Sequence, residues 1–258
     1  MILIVFFILF VFLTLLYKRY KINDVGYTII DNMLSNDDIL NILKEWDNRN
    51  FKEIYNIINN NFCKGDFCKG DYKLIDYIYV IENSSIHTYH RDYTSSKNYN
   101  NLTYPSYTMI LYLDNFNSGL HVIPKSHLDN SFMYLFDYSK KINVKIGSVI
   151  IFDANLLHCG DLYNNENNRK CIQFKIIHKD DIHKVPHLQN FHVLINSKNS
   201  KTQILKKIEM NFTKHFPIIT DLFNSIIKNA FGEKKTFIQK MFSKLIFSNS
   251  NFYKPIKI

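Results

Sequence analysis

The segment Ser85-Ile-His-Thr-Tyr-His-Arg-Asp92 is typical of a β-strand that carries chemically active side chains on one face. In a strand, side chains two residues apart point to the same side of the sheet. His90 and Asp92 therefore share a face and can chelate one ion together, whereas Arg91 points away. His87 has the opposite parity and is a poor candidate for the same ion. The segment thus predicts a β domain with a metal site on one of its strands.

A third metal ligand has to come from a distant part of the chain. His158 is the best candidate because it follows Ser148–Phe152, which has the pattern of a buried strand. Two histidines and one carboxylate on one face bind Fe(II) and leave three adjacent coordination positions open. Those positions suit a bidentate 2-oxo acid together with O2. Arg169 follows His158 by eleven residues, across a polar turn, and its planar guanidinium can hold a distal carboxylate through two hydrogen bonds.

Short segments rich in Tyr, Ile and Val surround this motif, and turn-forming residues separate them. Besides the two segments above they are Leu74–Ile81, Tyr107–Leu113, His121–Ile123, Leu156–Leu162 and Lys170–Ile177. A helix with a start resembling a capping box at Ser35 precedes them. Many short strands behind one helix favour an antiparallel sandwich or barrel over a doubly wound sheet. The 7 glycines form neither a dinucleotide-binding fingerprint nor a P-loop.

Three further segments support a resemblance to a known family. They are Gly26-Tyr-Thr-Ile-Ile-Asp-Asn-Met-Leu-Ser35, Gly119-Leu-His-Val-Ile-Pro-Lys-Ser-His127 and Gly147-Ser-Val-Ile-Ile-Phe-Asp153. Together with the ordered His-x-Asp, distal His and Arg, they resemble the phytanoyl-CoA dioxygenase family of Fe(II)/2-oxoglutarate-dependent oxygenases over about residues 26–178. Lys125 departs from the pattern because the family usually has glycine there.

The resemblance implies a fold, a cofactor and roles for four residues. The implied fold is a mainly β double-stranded β-helix, also called a jelly roll or cupin-like fold, with flanking helices. The implied ligands of Fe(II) are His90, Asp92 and His158, with Arg169 as the anchor of the co-substrate 2-oxoglutarate, and O2 as the oxidant. Halogenating relatives replace the metal carboxylate by a small residue. Since Asp92 is present, the resemblance implies hydroxylation.

The N-terminal residues predict a membrane anchor. Residues 1–17 are apolar except for Thr14, and the basic stretch Lys18-Arg19-Tyr20-Lys21 follows at once. We expect a single transmembrane helix over residues 1–21, with Tyr and Lys side chains at its interface. The basic cluster lies on the C-terminal side of this helix. The positive-inside rule therefore predicts a single-pass protein whose catalytic domain, residues 22–185, is cytoplasmic.

The C-terminal part of the chain carries the whole net charge. Of the formal net charge of +9, all lies in residues 198–258, which hold 12 lysines and 3 acidic residues. Apolar residues at helical spacing predict three short amphipathic helices within a basic extension, residues 186–258. These helices either pack on the main domain with their lysines in water or contact an anionic membrane surface. Nucleic acid is not favoured because this stretch contains no arginine.

These features together predict a membrane-anchored hydroxylase that acts on a small-molecule or lipid-like substrate. Two alternatives stay open. One is a non-catalytic binding module that uses the same fold at the membrane. The other is a peptide prolyl or lysyl hydroxylase, for which the sequons at Asn83, Asn101 and Asn211 would fit a lumenal domain.

Overall fold

The computed structural model describes most of the chain between residues 22 and 221. The described residues are 22–64, 70–83, 85–92, 94, 101–113, 119–128, 134, 139–162, 169–195, 202–221, 237, 241 and 254–255. The predicted anchor over residues 1–21 lies outside them, as does most of the extension beyond residue 221. None of the helices in the described part of the chain has the length and apolar character that a membrane span requires.

The described helices flank a β core. The second of them begins at a capping box, as the sequence predicts: Ser35 Oγ accepts from the Asp38 N–H, and the Asp38 carboxylate accepts from the Ser35 N–H. This reciprocal pair satisfies two backbone donors that the first helical turn leaves open. The α-helices are α1 Ile22–Val25, α2 Asn36–Asp47, α3 Phe51–Lys64 and α4 Gln203–His215, with 3-10 helices at Lys179–Lys184 and Pro186–Leu188.

Eleven described strands form two sheets that face each other. The larger sheet has the order β1-β7-β4-β9-β3-β10-β11, with β2 also paired to β9, and the smaller has the order β6-β5-β8. Every pairing is antiparallel except that of β10 with β3. The strands are β1 Tyr27–Ile30, β2 Tyr72–Leu74, β3 Tyr77–Glu82, β4 Tyr107–Tyr112, β5 Gly119–Val122, β6 Lys140–Asn143, β7 Val149–Asp153, β8 His158–Gly160, β9 Lys170–His178, β10 Phe191–Ile195 and β11 Lys254–Pro255.

This arrangement is a mainly β, jelly-roll-like fold with a few helices. It agrees with the expected sandwich of short antiparallel strands. The larger sheet continues past residue 185, because β10 and β11 belong to the predicted helical extension. The extension is therefore strand as well as helix.

Period-two alternation distributes the apolar side chains between two cores. On β7, Val149 and Ile151 face the helices α2 and α3, whereas Ile150 and Phe152 face the space between the sheets. Both faces of the larger sheet are thus covered, which explains the unbroken apolar run Val149–Phe152 within β7. The inner core borders the predicted site through Phe152, whose ring packs against His158.

The segment 85–92 departs from the predicted strand. It is extended but irregular, and a single antiparallel bridge joins His90 to His158. The two backbone hydrogen bonds of this bridge measure 3.0 and 3.1 Å. Farther along, the Gly160 N–H donates to Ile86 O, and the Asp92 N–H donates to Ala154 O. The segment therefore follows β8 as an irregular outer edge of the smaller sheet.

Lys125 adopts the backbone conformation that glycine favours. Its φ angle is +69°, in the left-handed region that side chains with a Cβ rarely adopt. Its N–H donates to Val25 O at 3.1 Å. The turn that follows β5 therefore places a lysine, Lys125, in a left-handed backbone conformation.

Helix α4 packs on the outer side of the smaller sheet with its polar face inward. Lys206, Thr213 and Lys214 are buried, whereas Ile204 is 72% exposed, Ile208 58% and Phe212 49%. This is the reverse of the orientation that we expect for a helix packed on the domain with its lysines in water. The segment 85–92 offers α4 polar groups, such as His87 and the Tyr89 N–H, and Met210 packs beside them on a small apolar cluster.

Candidate metal centre

Three residues that the sequence singles out lie together in the structure. His90, Asp92 and His158 each offer one ligand atom, and these atoms all lie within 4.8 Å of one another. The bridge between the edge segment and β8 sets His90 opposite His158, with the ring centroids 4.5 Å apart. Asp92 follows two residues later on the same face, and its Oδ1 lies 3.7 Å from His158 Nε2.

Both histidines are oriented by the same local hydrogen bond. His90 Nδ1 lies 2.8 Å from Thr88 O, and His158 Nδ1 lies 2.9 Å from Leu156 O. A carbonyl oxygen can only accept, so each Nδ1 must carry the ring proton. In the neutral ring, Nε2 then keeps a free lone pair. Each imidazole thus presents Nε2 as a ligand atom, held by a backbone carbonyl two residues earlier.

Burial keeps His158 in the form that can bind a metal. Its ring packs against Phe152 with the centroids 4.4 Å apart, and the side chain is almost fully enclosed. Burial, reinforced by the nearby His90, lowers the pKa of His158 to about 3, although Asp92 opposes the change. The imidazole is therefore neutral at physiological pH.

The other oxygen of Asp92 is held from the larger sheet. Lys175 Nζ donates to Asp92 Oδ2 at 2.6 Å and to Thr108 Oγ1 at 2.7 Å. The Thr108 hydroxyl in turn donates to the same Oδ2. Thr108 and Lys175 are cross-strand partners on β4 and β9, so the sheet register itself brings them together. Although burial raises it, Lys175 and the two histidines hold the pKa of the Asp92 carboxyl well below its usual range.

Sequence reasoning missed Thr108 and Lys175. The available signal was Lys175 itself, a single charged residue in the middle of the otherwise uncharged run Cys171–Ile177. A lysine is almost never fully buried unless it is paired. Its position inside a buried strand could have predicted an acidic partner within the core.

Arg169 lies on the same face as the three-residue cluster. It is buried at the start of β9, and its Nη1 donates to Asp161 O at 3.4 Å. Its guanidinium lies over the Tyr112 ring at 5.8 Å. A Cβ placed on Gly160 would lie 3.4 Å from Arg169 Nη2. Gly160 shares its face with His158 and follows it by two residues, a rise of about 6.6 Å along a strand.

Residues 213–221, which we call the C-terminal segment, support the backbone that carries the cluster. Thr213 Oγ1 accepts from the Tyr89 N–H at 2.9 Å, and the Thr220 hydroxyl donates to Tyr89 O at 2.6 Å. Arg91, which is fully buried, points away from Asp92 as predicted, and its Nη1 donates to Asp221 at 2.7 Å. Sequence reasoning did not anticipate these contacts.

A similar contact joins α4 to the beginning of the same segment. His87 Nε2 lies 2.7 Å from the Glu209 carboxylate. His87 thus points away from the metal cluster, as its parity predicts. The segment 85–92 is held on one side by β8 and on the other by residues of the C-terminal extension.

The donor set fits a divalent metal of intermediate softness. It consists of two imidazole Nε2 atoms and one carboxylate oxygen, all from one side, which is the set that non-heme Fe(II) oxygenases use. Three protein ligands leave the remaining coordination positions of such a metal to other molecules. Arg169 is buried next to Gly160, which follows His158 by two residues. Its guanidinium can receive a carboxylate of a molecule bound beside the cluster.

Comparisons with known proteins find likenesses of structure only. No protein-family profile and no curated protein matches the chain. Among solved structures, the chain is similar to HygX from Streptomyces hygroscopicus with nickel and 2-oxoglutarate bound, with 13% identity, a TM-score of 0.48, and coverage of 60% of this chain and 83% of that one. At these values, the function has to be argued from the site itself.

Two further structures show a comparable degree of likeness. The non-heme alpha ketoglutarate dependent epimerase SnoN from nogalamycin biosynthesis is 10% identical, with a TM-score of 0.46 and coverage of 61% of this chain and 80% of that one. ThoJ, described as a non-heme monooxygenase, is 12% identical, with a TM-score of 0.45 and coverage of 61% and 75%.

Proposed function

We propose that the protein is an Fe(II)/2-oxoglutarate-dependent oxygenase. The observation that carries this proposal is the cluster of His90, Asp92 and His158, whose ligand atoms converge within 4.8 Å. The Nδ1 hydrogen bonds of both histidines favour this interpretation, because they leave each Nε2 lone pair directed into the cluster.

Each residue has a distinct task in this proposal. His90, Asp92 and His158 would hold the iron, and Arg169 would bind the distal carboxylate of 2-oxoglutarate and so fix its orientation. An iron held there would supply oxidation by O2, with one oxygen atom entering the substrate C–H bond and the other entering succinate as 2-oxoglutarate loses CO2. Phe152 excludes water from one side of His158. Because Asp92 is present, we propose hydroxylation rather than halogenation.

We further propose that the enzyme works at a membrane as a single-pass protein with a cytoplasmic catalytic domain, on a small-molecule or lipid-like substrate. The apolar residues 1–17 and the basic stretch 18–21 support this location. The outward apolar face of α4, formed by Ile204, Ile208 and Phe212, supports it independently. Protease protection tests which side of the membrane the catalytic domain occupies. In sealed vesicles with their cytoplasmic face outward, added protease digests the domain without permeabilisation only if the domain is cytoplasmic.

The catalytic proposal is tested by anaerobic titration with Fe(II) and 2-oxoglutarate. A weak visible charge-transfer band is expected for the wild-type chain and for the control variant His192→Ala. In the wild type, His192 lies on β10 of the larger sheet and its imidazole pairs with Asp76. The band should be absent in His90→Ala and Asp92→Ala. A folded wild-type protein without any band, or one that forms no succinate from 2-oxoglutarate in air, contradicts the proposal.

A second candidate function is a binding module without catalytic activity. The ion pair between Lys175 and Asp92, with 2.6 Å between Nζ and Oδ2, favours it, because the ammonium neutralises the carboxylate without any metal. The same titration separates the two functions. A binding module gives no metal-dependent band and keeps its cellular function when His90 is replaced by alanine.

A further inference from the structure

Lys175 is a buried cation whose hydrogen bonds are directed at a metal-ligand candidate. Its side chain is 3% exposed, in the middle of β9. Its Nζ lies 2.6 Å from Asp92 Oδ2 and 2.7 Å from Thr108 Oγ1. An isolated ammonium is costly to bury, so a buried lysine of this kind needs a partner charge. That partner is the carboxylate of the proposed metal site.

The first consequence concerns the geometry of Asp92. Oδ2 accepts from both Lys175 and Thr108, and this fixes the carboxylate plane between the two sheets. The remaining atom, Oδ1, is the one that lies toward His158, at 3.7 Å from Nε2. A metal held by the cluster therefore meets one oxygen of Asp92, because the other is engaged from the opposite side.

The second consequence concerns charge. Without a metal, the ammonium neutralises Asp92 and the buried site carries no uncompensated carboxylate. A divalent ion bound to Oδ1 shares that carboxylate with the ammonium, and the two cations repel each other across it. Such repulsion is strong where water is excluded. A metal bound by this cluster is thus held less tightly than the same three ligands would hold it alone.

We propose that Lys175 is a positioning residue that restricts Asp92 to one-oxygen coordination and lowers the affinity of the site for divalent metal. This inference rests on the proposed function in that it takes His90, Asp92 and His158 as metal ligands. It differs from a purely structural role in the direction in which metal affinity changes when Lys175 is removed. A residue that only supports the fold weakens metal binding when it is removed, whereas removal of Lys175 strengthens it.

The test is the affinity of the full-length chain for Mn(II), measured by the electron paramagnetic resonance signal of the free ion. Lys175→Met removes the charge and keeps much of the volume, and we expect it to bind Mn(II) at least about tenfold more tightly. Lys175→Arg keeps the charge and should restore an affinity close to that of the wild type. Thr108→Val removes only the neutral hydroxyl and should change the affinity less than Lys175→Met does.

A second measurement follows thermal unfolding with and without Mn(II). Metal-free Lys175→Met should unfold at a lower temperature than the wild type, because Asp92 is left buried without its cation. Its increase in unfolding temperature on addition of Mn(II) should be larger than that of the wild type. If Lys175→Met does not fold, Lys175→Gln retains a hydrogen-bond donor without the charge and is expected to show the same two effects.

The outcomes separate this inference from the proposed function. Unchanged or weaker Mn(II) binding by a folded charge-removing variant overturns the role of Lys175. A wild-type chain that binds Mn(II) but gives no band with Fe(II) and 2-oxoglutarate contradicts the proposed oxygenase function. The comparison of Mn(II) affinities between the wild type and the Lys175 variants still decides the role of Lys175. Binding by Lys175→Met but not by the wild type supports the inference, and binding by neither overturns it.

Discussion

At the scale of single residues, the identical hydrogen bonds of His90 and His158 are the most informative local feature. Each ring donates from Nδ1 to the carbonyl two residues earlier in the chain. The backbone therefore sets the tautomer before any metal binds. The burial of His158 also lowers its pKa, and this makes the stability of the metal-free fold depend on pH.

We expect the metal-free protein to lose stability as the pH falls below about 6.5, the ordinary histidine value. The pKa of His158 is lowered to about 3 in the folded state, so the unfolded chain takes up the proton first. The contribution of neutral His158 to the free energy of unfolding is fully present above the pKa that this residue has in the unfolded chain. Below that pKa it decreases by about 1.4 kcal/mol per pH unit. Urea unfolding at a series of pH values measures this slope.

The control for this prediction is His158→Gln, which cannot take up a proton in either state. Its unfolding free energy should fall less steeply between about pH 6.5 and about pH 5 than that of the wild type. Equal slopes in the two proteins would show that other groups cause the pH dependence.

Arg169 permits a prediction about the co-substrate alone. Arg169→Gln removes a charge-assisted pair of donors, and we expect the affinity of the Fe(II)-loaded protein for 2-oxoglutarate to fall by about a hundredfold. Mn(II) binding should stay close to that of the wild type, since Arg169 donates to Asp161 O and lies over the Tyr112 ring. Arg169→Lys keeps the charge without the planar fork and should be intermediate. Loss of Mn(II) binding in Arg169→Gln would point to a structural role.

At the scale of elements, the edge segment 85–92 depends on residues more than a hundred positions away. Arg91 is fully buried and pairs with Asp221, whose side chain is 18% exposed. We expect Asp221→Ala to lower the unfolding free energy by about 2 kcal/mol, because a buried guanidinium loses a charged acceptor. Mn(II) affinity should fall as well, since Arg91 lies between His90 and Asp92.

A surface ion pair serves as the matched control. Asp47 pairs with Lys170 at 3.4 Å and is 74% exposed. Asp47→Ala should change the unfolding free energy by less than about 1 kcal/mol. Equal effects of the two substitutions, measured by urea unfolding, would contradict a supporting role of Asp221.

The outward face of α4 predicts where the molecule meets a bilayer. With Phe212→Trp, we expect the added indole to be quenched by brominated lipids in anionic vesicles, because the proposed location brings this face into contact with lipid. Leu40→Trp, at an exposed position of α2 on the opposite layer, should not be quenched. The comparison is independent of whether residues 1–17 insert. If the added indole of the Phe212→Trp variant stays unquenched while the protein is bound to vesicles, contact by this face is contradicted.

At the scale of the whole molecule, the sequence predicts what depends on local periodicity. The parity of His90, Arg91 and Asp92 is enough to predict which of them turn toward His158, and alternating strands predict a two-sheet sandwich. The irregular edge at residues 85–92 was not predictable, because its backbone partners come from β8 and from residues after 202.

The orientation of α4 shows the same limit. Its apolar spacing predicts a helix, and a helix covers Gln203–His215. Which face turns inward depends on the polar groups that the edge segment offers, such as His87 and the Tyr89 N–H. Those groups become neighbours of α4 only after the sheets have formed. The spacing of apolar residues in 203–215 therefore cannot predict which face of the helix turns inward.

The dependence of Arg91 on Asp221 also bears on the timing of biosynthesis. The two residues are 130 positions apart, so at about 5–20 residues per second several seconds or more of translation separate them. Throughout that interval the nascent chain already contains His90 and Asp92 but lacks the segment that holds their backbone in place. Loading of the site with metal is therefore expected to be a late step, completed after the ribosome has delivered the C-terminal segment.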